Sequence, residues 1–167
     1  MNRPERFLRI VRLDDSDQNT YEPAAAAGEW AVVGSFHFWD SDLEQLAGKQ
    51  RQAFVHGFLG TDSFGWATLA AVTPIAAADY DAVIARLAGH LVERFGAPDT
   101  ATALPAAREE AEFVAGLCRE HEVHTLLAIQ RSFDGECIEE TFKVIRPPSA
   151  ADHETLRLWE WIDDPPR

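Results

Sequence analysis

The stretch that decides the fold is "HTLLAIQRSFDGECIEETFKVI", residues 124–145, two runs of β-forming residues around Asp134-Gly135. Asp-Gly between such runs predicts a hairpin with a two-residue type I′ turn, because both central positions of that turn need positive φ. With Asp134 and Gly135 as the loop, Phe133 pairs with Glu136 and the side chains alternate outward from there. One face then carries Leu127, Ile129, Arg131 and Phe133 with Ile138, Glu140, Phe142 and Val144. The other carries His124, Leu126, Gln130 and Ser132 with Cys137, Glu139, Thr141 and Lys143. The first face is apolar and should meet helices. It also turns Arg131 and Glu140 inward as diagonal neighbours. A buried charge persists only when it is paired or hydrogen-bonded. Arg131 and Glu140 are therefore candidate ligand-binding residues, with Arg131 as the anion holder. The plainer reading has the arginine snorkelling to the sheet edge beside its glutamate.

Upstream, "FLRIVRL" (7–13) alternates apolar residues with arginine, the period of a half-buried strand. An acidic, turn-rich connection (14–29) leads to "WAVVGSFHFW" (30–39), read as a second strand. "SDLE" (41–44) has the form of a capping box, so a helix is expected to start there and end around Gly57 to Gly60. "GWATLAAVTPI" (65–75) reads as a third strand. "ADYDAVIARLAGHLVERFG" (78–96) is the clearest helix, with Tyr80, Val83, Ile84, Leu87, Leu91 and Phe95 on one stripe and Gly96 as C-cap. A linker from Pro98 to Pro105 precedes a helix over 106–122. The tail from about 147 holds a candidate short helix with Leu156, Trp159 and Ile162. The order β-β-α-β-α-α-β-β predicts a single α+β domain over 1–167, with an antiparallel or mixed sheet of about five strands and helices packed on one face.

The chain has 167 residues, enough to bury an apolar core without staples. Its 28 acidic and 15 basic residues give a formal charge of -13, which disfavours nucleic acid and anionic membrane as partners. Two cysteines do not make a disulfide framework. No signal peptide and no run near the roughly 18 apolar residues of a membrane span is visible, so the expected location is the cytoplasm.

"CREHEVH" (118–124) is the first candidate site, with Cys118, His121 and His124 as transition-metal ligands or a thiol with its base. On a helix, Cys118 and His124 stand about 120° apart, too wide for one compact ligand face. A buried helix end explains the pattern better, so no cofactor is expected, with a transition metal as the alternative. His37, between Phe36 and Phe38, is a second candidate for ligand binding, against the plainer reading of a core histidine. "HGFLGTDSFGW" (56–66) lacks both the lysine of a phosphate loop and the spacing of a nucleophile elbow, and reads as a helix cap and turn. Trp159 and Trp161 are candidate partner-binding residues, or else cover an open side of the sheet.

At "FLRIVRLDDSD", "GEWAVVGSFHFWD", "QRQAFVHGFLG" and "RSFDGECIEETFKV" the chain resembles a family of small bacterial proteins of unknown function, over nearly its whole length. The resemblance transfers no catalytic motif. It implies a maturation or assembly role beside molybdenum-dependent formate dehydrogenases. With no complete catalytic constellation in the residues, the expectation is a non-catalytic binding or accessory protein with a protein partner or a homodimer. The alternative is a small enzyme or metal-binding protein that uses His121, His124 and a cysteine, with Arg131 holding an anion.

Overall fold

The computed structural model describes residues 4–13 and 15–145. They form seven strands and four α-helices: β1 (Arg6–Val11), α1 (Ser16–Thr20), β2 (Trp30–Val32), α2 (Gly48–His56), β3 (Phe58–Gly60), β4 (Trp66–Ala67), β5 (Leu69–Pro74), α3 (Ala77–Phe95), α4 (Thr100–Arg119), β6 (Leu126–Phe133) and β7 (Ile138–Ile145). The strands build one antiparallel sheet in the order β4-β3-β2-β1-β5-β6-β7, curled as a half-barrel. The fold is α+β, with seven strands in place of the expected five or so. One extra strand, β3, comes from the glycine-rich 56–66 stretch expected to be a helix cap and turn, and the other arises because the strand expected over 65–75 divides at Thr68 into β4 and β5. Gly57 and Gly65 lie so close to neighbouring backbone that an added Cβ would sit 2.7 and 2.6 Å from it. Short strands fit there where side chains would not.

The hairpin forms with its turn moved by one residue. Phe133 pairs with Ile138 and Arg131 with Glu140, so the loop is Gly135-Glu136. The Asp134 carboxylate accepts the N–H groups of Glu136 (2.9 Å) and Cys137 (2.8 Å). Gly135 has φ +100, and Glu136 is not among the positive-φ residues, the sign pattern of a type II′ turn. Such a turn needs only one left-handed residue, and glycine takes that position at least cost. Because the pairing shifts by two residues, no side chain changes face. Arg131 is buried, Cys137 is exposed, and Arg131 now lies directly opposite Glu140.

The largest departure is at 30–39, where the strand stops at Val32. Gly34 has φ +86, and the next residues, Ser35–Phe38, coil into a 3-10 turn. A Cβ on Gly34 would sit 2.7 Å from the Leu59 Cβ, so the turn presses against β3. Phe36, His37 and Phe38 therefore leave the sheet. The next cap is Asp42, not Ser41: its carboxylate accepts the Glu44 N–H and opens a short 3-10 turn (Leu43–Gln45), and α2 begins only at Gly48.

α3 runs as expected and ends in Gly96 at φ +77. α4 begins at Thr100, inside the expected linker, because Asp99 accepts the Thr102 N–H at 2.7 Å. Ala103, Ala107, Ala111 and Ala115 repeat every four residues down its buried side. Small side chains let α4 lie close to both α3 and β1.

Candidate functional site

The Gly34 turn decides the site, because it carries His37 across to α3. There His90 continues the buried stripe Val83–Leu87 by one further turn and is 6% exposed. The two Nε2 atoms are 3.2 Å apart. The ring planes are 15° from parallel with centroids 5.4 Å apart, too far for face contact and suited to two rings meeting edge to edge through Nε2. Such a bond needs one donor and one acceptor, so one imidazole is the Nε2–H tautomer and the other the Nδ1–H tautomer. Burial pulls His37 below the ordinary histidine range, aided by Arg94 and opposed by Asp40. Burial, then His37, then Arg94 bring His90 down to about 4. The pair is neutral near pH 7.

Phe64 holds the far face of His90, with planes 2° apart and centroids separated by 3.7 Å. It adopts φ +53, a left-handed conformation that is costly for an aromatic residue and persists only where its surroundings enforce it. The enforcement comes from Glu29. Its carboxylate accepts the backbone N–H groups of Asp62 (3.0 Å), Ser63 (2.8 Å) and Ala26 (2.6 Å) and the Ser63 hydroxyl (2.7 Å). A buried carboxylate with four donors pins the loop that delivers Phe64.

Beside the dyad lies a cavity of about 320 Å³ walled by Pro23, Phe38, Phe64 and Trp66 and bordered by Arg94. Arg94 stands one turn after His90 on α3, is exposed, and makes no ion pair with a described residue. The arrangement is a cleft of mixed lining, with an aromatic wall, a neutral hydrogen-bonding pair, the polar side chains of Ser41, Gln50 and Ser63, and two opposite charges at its border, Arg94 and the Glu22 carboxylate that lies 3.8 Å from Lys49 Nζ.

Arg131, the candidate anion holder, does not snorkel to the sheet edge either: it is 1% exposed and occupied by the protein itself. Its Nε donates to the Ser35 hydroxyl (2.6 Å), Nη1 to the carbonyls of Phe54 (2.8 Å) and Ala53 (3.2 Å), and Nη2 to the Val33 carbonyl. Ser35 passes a hydrogen bond on to the Glu140 carboxylate. The guanidinium ties the Gly34 turn, the end of α2 and the hairpin together, with its carbon 5.8 Å from the Trp66 ring centre. Burial lowers Arg131 to about 10, against the opposing pull of Glu140, Tyr21 and Glu110, so it stays cationic near neutrality. Glu110 on α4 is raised to about 7, by burial first and by Glu140 next.

A family model described as a family of unknown function, DUF6505, matches residues 5–158. The chain belongs to the DUF6505 family. Comparisons with curated proteins and with solved structures find no match. The DUF6505 match covers β1 to β7 and stops just before Trp159. Trp159 and Trp161 lie outside the described residues.

The heptapeptide of this DUF6505 protein is spread over three settings. Cys118 is fully buried at the end of α4, where burial pushes its thiol up to about 12. A thiol so raised is neither a nucleophile nor a ready ligand. The His121 carbonyl accepts Arg6 Nη1 at 2.6 Å. His124 is exposed at φ +76, and its N–H donates to the Val72 carbonyl. No group of three or more His, Cys, Asp or Glu side chains that could hold a metal ion occurs among the described residues. Nor is any described helix long and apolar enough to cross a membrane. Of the candidate residues that are described, only His37 enters the cleft. Sequence patterns do not single out His90, Phe64, Arg94 or Glu29, although His90 follows Val83 and Leu87 at helical spacing, with Arg94 one turn on.

Proposed function

We propose that this DUF6505 protein is a binding protein whose ligand is a small organic anion held in the His37–His90 cleft. One observation carries the reading: a neutral histidine pair, joined nitrogen to nitrogen, lines an aromatic-walled cavity of about 320 Å³ bordered by the Arg94 guanidinium. The volume and the aromatic wall suit a compact ligand with an apolar body, and the polar lining, Ser41 and Gln50 among it, suits polar groups at its edge. Arg94 would take a carboxylate, and the free ring nitrogens of the dyad would each offer one directed hydrogen bond. Binding is favoured over covalent catalysis because Ser63 is engaged by Glu29 and by the Gly65 N–H, and because the two histidines that could activate Ser41, the other hydroxyl bordering the cavity, are bonded to each other through Nε2. A role in assembling molybdenum-dependent formate dehydrogenases is a narrower version of this proposal, in which the bound anion would serve a partner enzyme.

The test is histidine ¹⁵N NMR with benzoate and, separately, inorganic phosphate added. The free protein is expected to give one Nε2–H and one Nδ1–H imidazole. Benzoate should shift both rings, and Arg94→Gln should weaken it by about tenfold or more, the loss expected for a hydrogen bond to a charged group. Failure of both anions to move the His37 and His90 signals would overturn the reading. A second reading, proton transfer along the dyad in an acid–base enzyme, is favoured by the strained Phe64 that supports His90. A turnover rate abolished by both His37→Gln and His90→Gln would select it.

A further inference from the structure

On the other side of the same turn the chain leaves open a groove with apolar walls and an acidic border. Phe38 and Ser41 border both the cleft and this groove, which runs between residues 39–44 and the tip of the β6–β7 hairpin. Its volume is about 560 Å³, and its apolar walls are Phe38, Leu43, Phe133 and Ile138. A second hollow of about 560 Å³ shares Leu43, Glu44 and Phe133 with it and extends along α2. Trp39 stands at the groove with 69% of its surface exposed, the most exposed large hydrophobic side chain among the described residues. Leaving an indole in water forgoes stabilisation that burial against a partner would recover.

Charge selects the occupant. Asp42, Glu44 and Glu136 border the groove, and neither lysine nor arginine does; Arg51 and Arg131 line only the adjoining hollow along α2. A second copy of this chain would bring its own charge of -13 against these carboxylates. The C-terminal segment from 147 holds five acidic residues and two arginines, and meets the same repulsion. We infer that the groove is a docking site for a short extended segment of another protein, apolar residues alternating with lysine or arginine, with Trp39 as the central contact. The apolar side chains would fill the space over Phe133 and Leu43 while the cations face Asp42, Glu44 and Glu136. Aromatic anchors ringed by complementary charge are where binding energy concentrates at protein interfaces. This inference does not depend on what the cleft binds.

The probe is a labelled heptapeptide alternating lysine with leucine and phenylalanine, and its control has glutamate in place of every lysine, both followed by fluorescence anisotropy on the full chain. The lysine peptide should bind and the glutamate peptide should not, and binding should weaken about tenfold or more between about 0.05 and 0.5 M salt. Trp39→Ala should cost about tenfold. The pair Glu44→Lys and Glu136→Lys should reverse the preference, whereas the charge-matched pair Asp79→Lys and Glu93→Lys on α3 should leave it unchanged. All four acidic positions are exposed, so thermal unfolding should confirm intact folds. The inference is overturned if neither peptide binds. It is equally overturned if both charge-reversed pairs lose the lysine peptide alike, which would mean attraction by net charge alone. Sedimentation equilibrium supplies a further refutation: a dimer dispersed by Trp39→Ala would make a second copy the occupant.

Discussion

His90 is buried and Glu110 half-buried, and they titrate with opposite consequence. His90 is brought from 6.5 to about 4 in the fold. On acidification the unfolded chain therefore takes its proton first, so the contribution is full above pH 6.5 and is lost as pH falls toward 4. Replacing His90 with Gln should flatten that part of the pH profile of urea midpoints, and a midpoint still falling as steeply would refute the dyad's neutrality. Glu110 is raised from 4.5 to about 7, so the folded state keeps its proton longer. Its stabilising effect is present below pH 4.5 and disappears as pH rises through 7. Glu110→Gln should raise stability at pH 8 by roughly 2 kcal/mol and leave it little changed at pH 4, as urea unfolding at the two pH values would reveal. Arg131 makes the sharpest single-residue prediction. Arg131→Met strands the carbonyls of Val33, Ala53 and Phe54 and leaves Ser35 and Glu140 without their cation. A loss of about 3–5 kcal/mol in urea unfolding is expected. Arg131→Lys should recover only part of it, since an ammonium cannot reproduce the planar fork.

Two glycines control elements rather than contacts. Gly135 opens the hairpin turn at φ +100, with nothing within 4 Å of an added Cβ. Gly135→Ala should therefore cost only the backbone strain, about 1 kcal/mol, with the register retained in amide exchange. Gly34 has both a left-handed φ of +86 and a neighbour 2.7 Å from the added Cβ. Gly34→Ala should be the more damaging by about 1–3 kcal/mol and should break the His37–His90 bond, removing the paired tautomers from the ¹⁵N spectrum. The contrast also explains how far the elements are legible. α3 is legible within a residue at each end because a 3.6-residue stripe and a glycine cap are local signals. The strand expected over 30–39 fails because alternation of Trp30, Val32, Phe36 and Phe38 looks the same whether the chain continues straight or turns at a glycine. The start of α4 is hidden because Pro98 and Pro105 suggest a linker, while Asp99 is already a cap.

At the scale of the molecule the sheet places β1 at its centre, paired with β2 on one side and β5 on the other. It thereby joins a half of short strands, which carries the cleft's turn and loop, to a half of longer strands ending in the hairpin. Arg131 and the stack of Phe64 on His90 are cross-ties between those halves, and Glu29 holds the Phe64 loop within the short-strand half. The sequence by itself determined the α+β class, the α3 helix and the two faces of the hairpin, with Arg131 inward and Cys137 outward. Those features come from periods of two and 3.6 residues, and a turn displaced by one position shifts the register by two and preserves them. Only the tertiary structure decided that His37 meets His90 across 53 residues of chain, that Phe64 is forced onto its ring, and that Arg131 binds carbonyls from two other segments. Each of these depends on where a turn points a side chain in three dimensions, and no local pattern of residues encodes that direction.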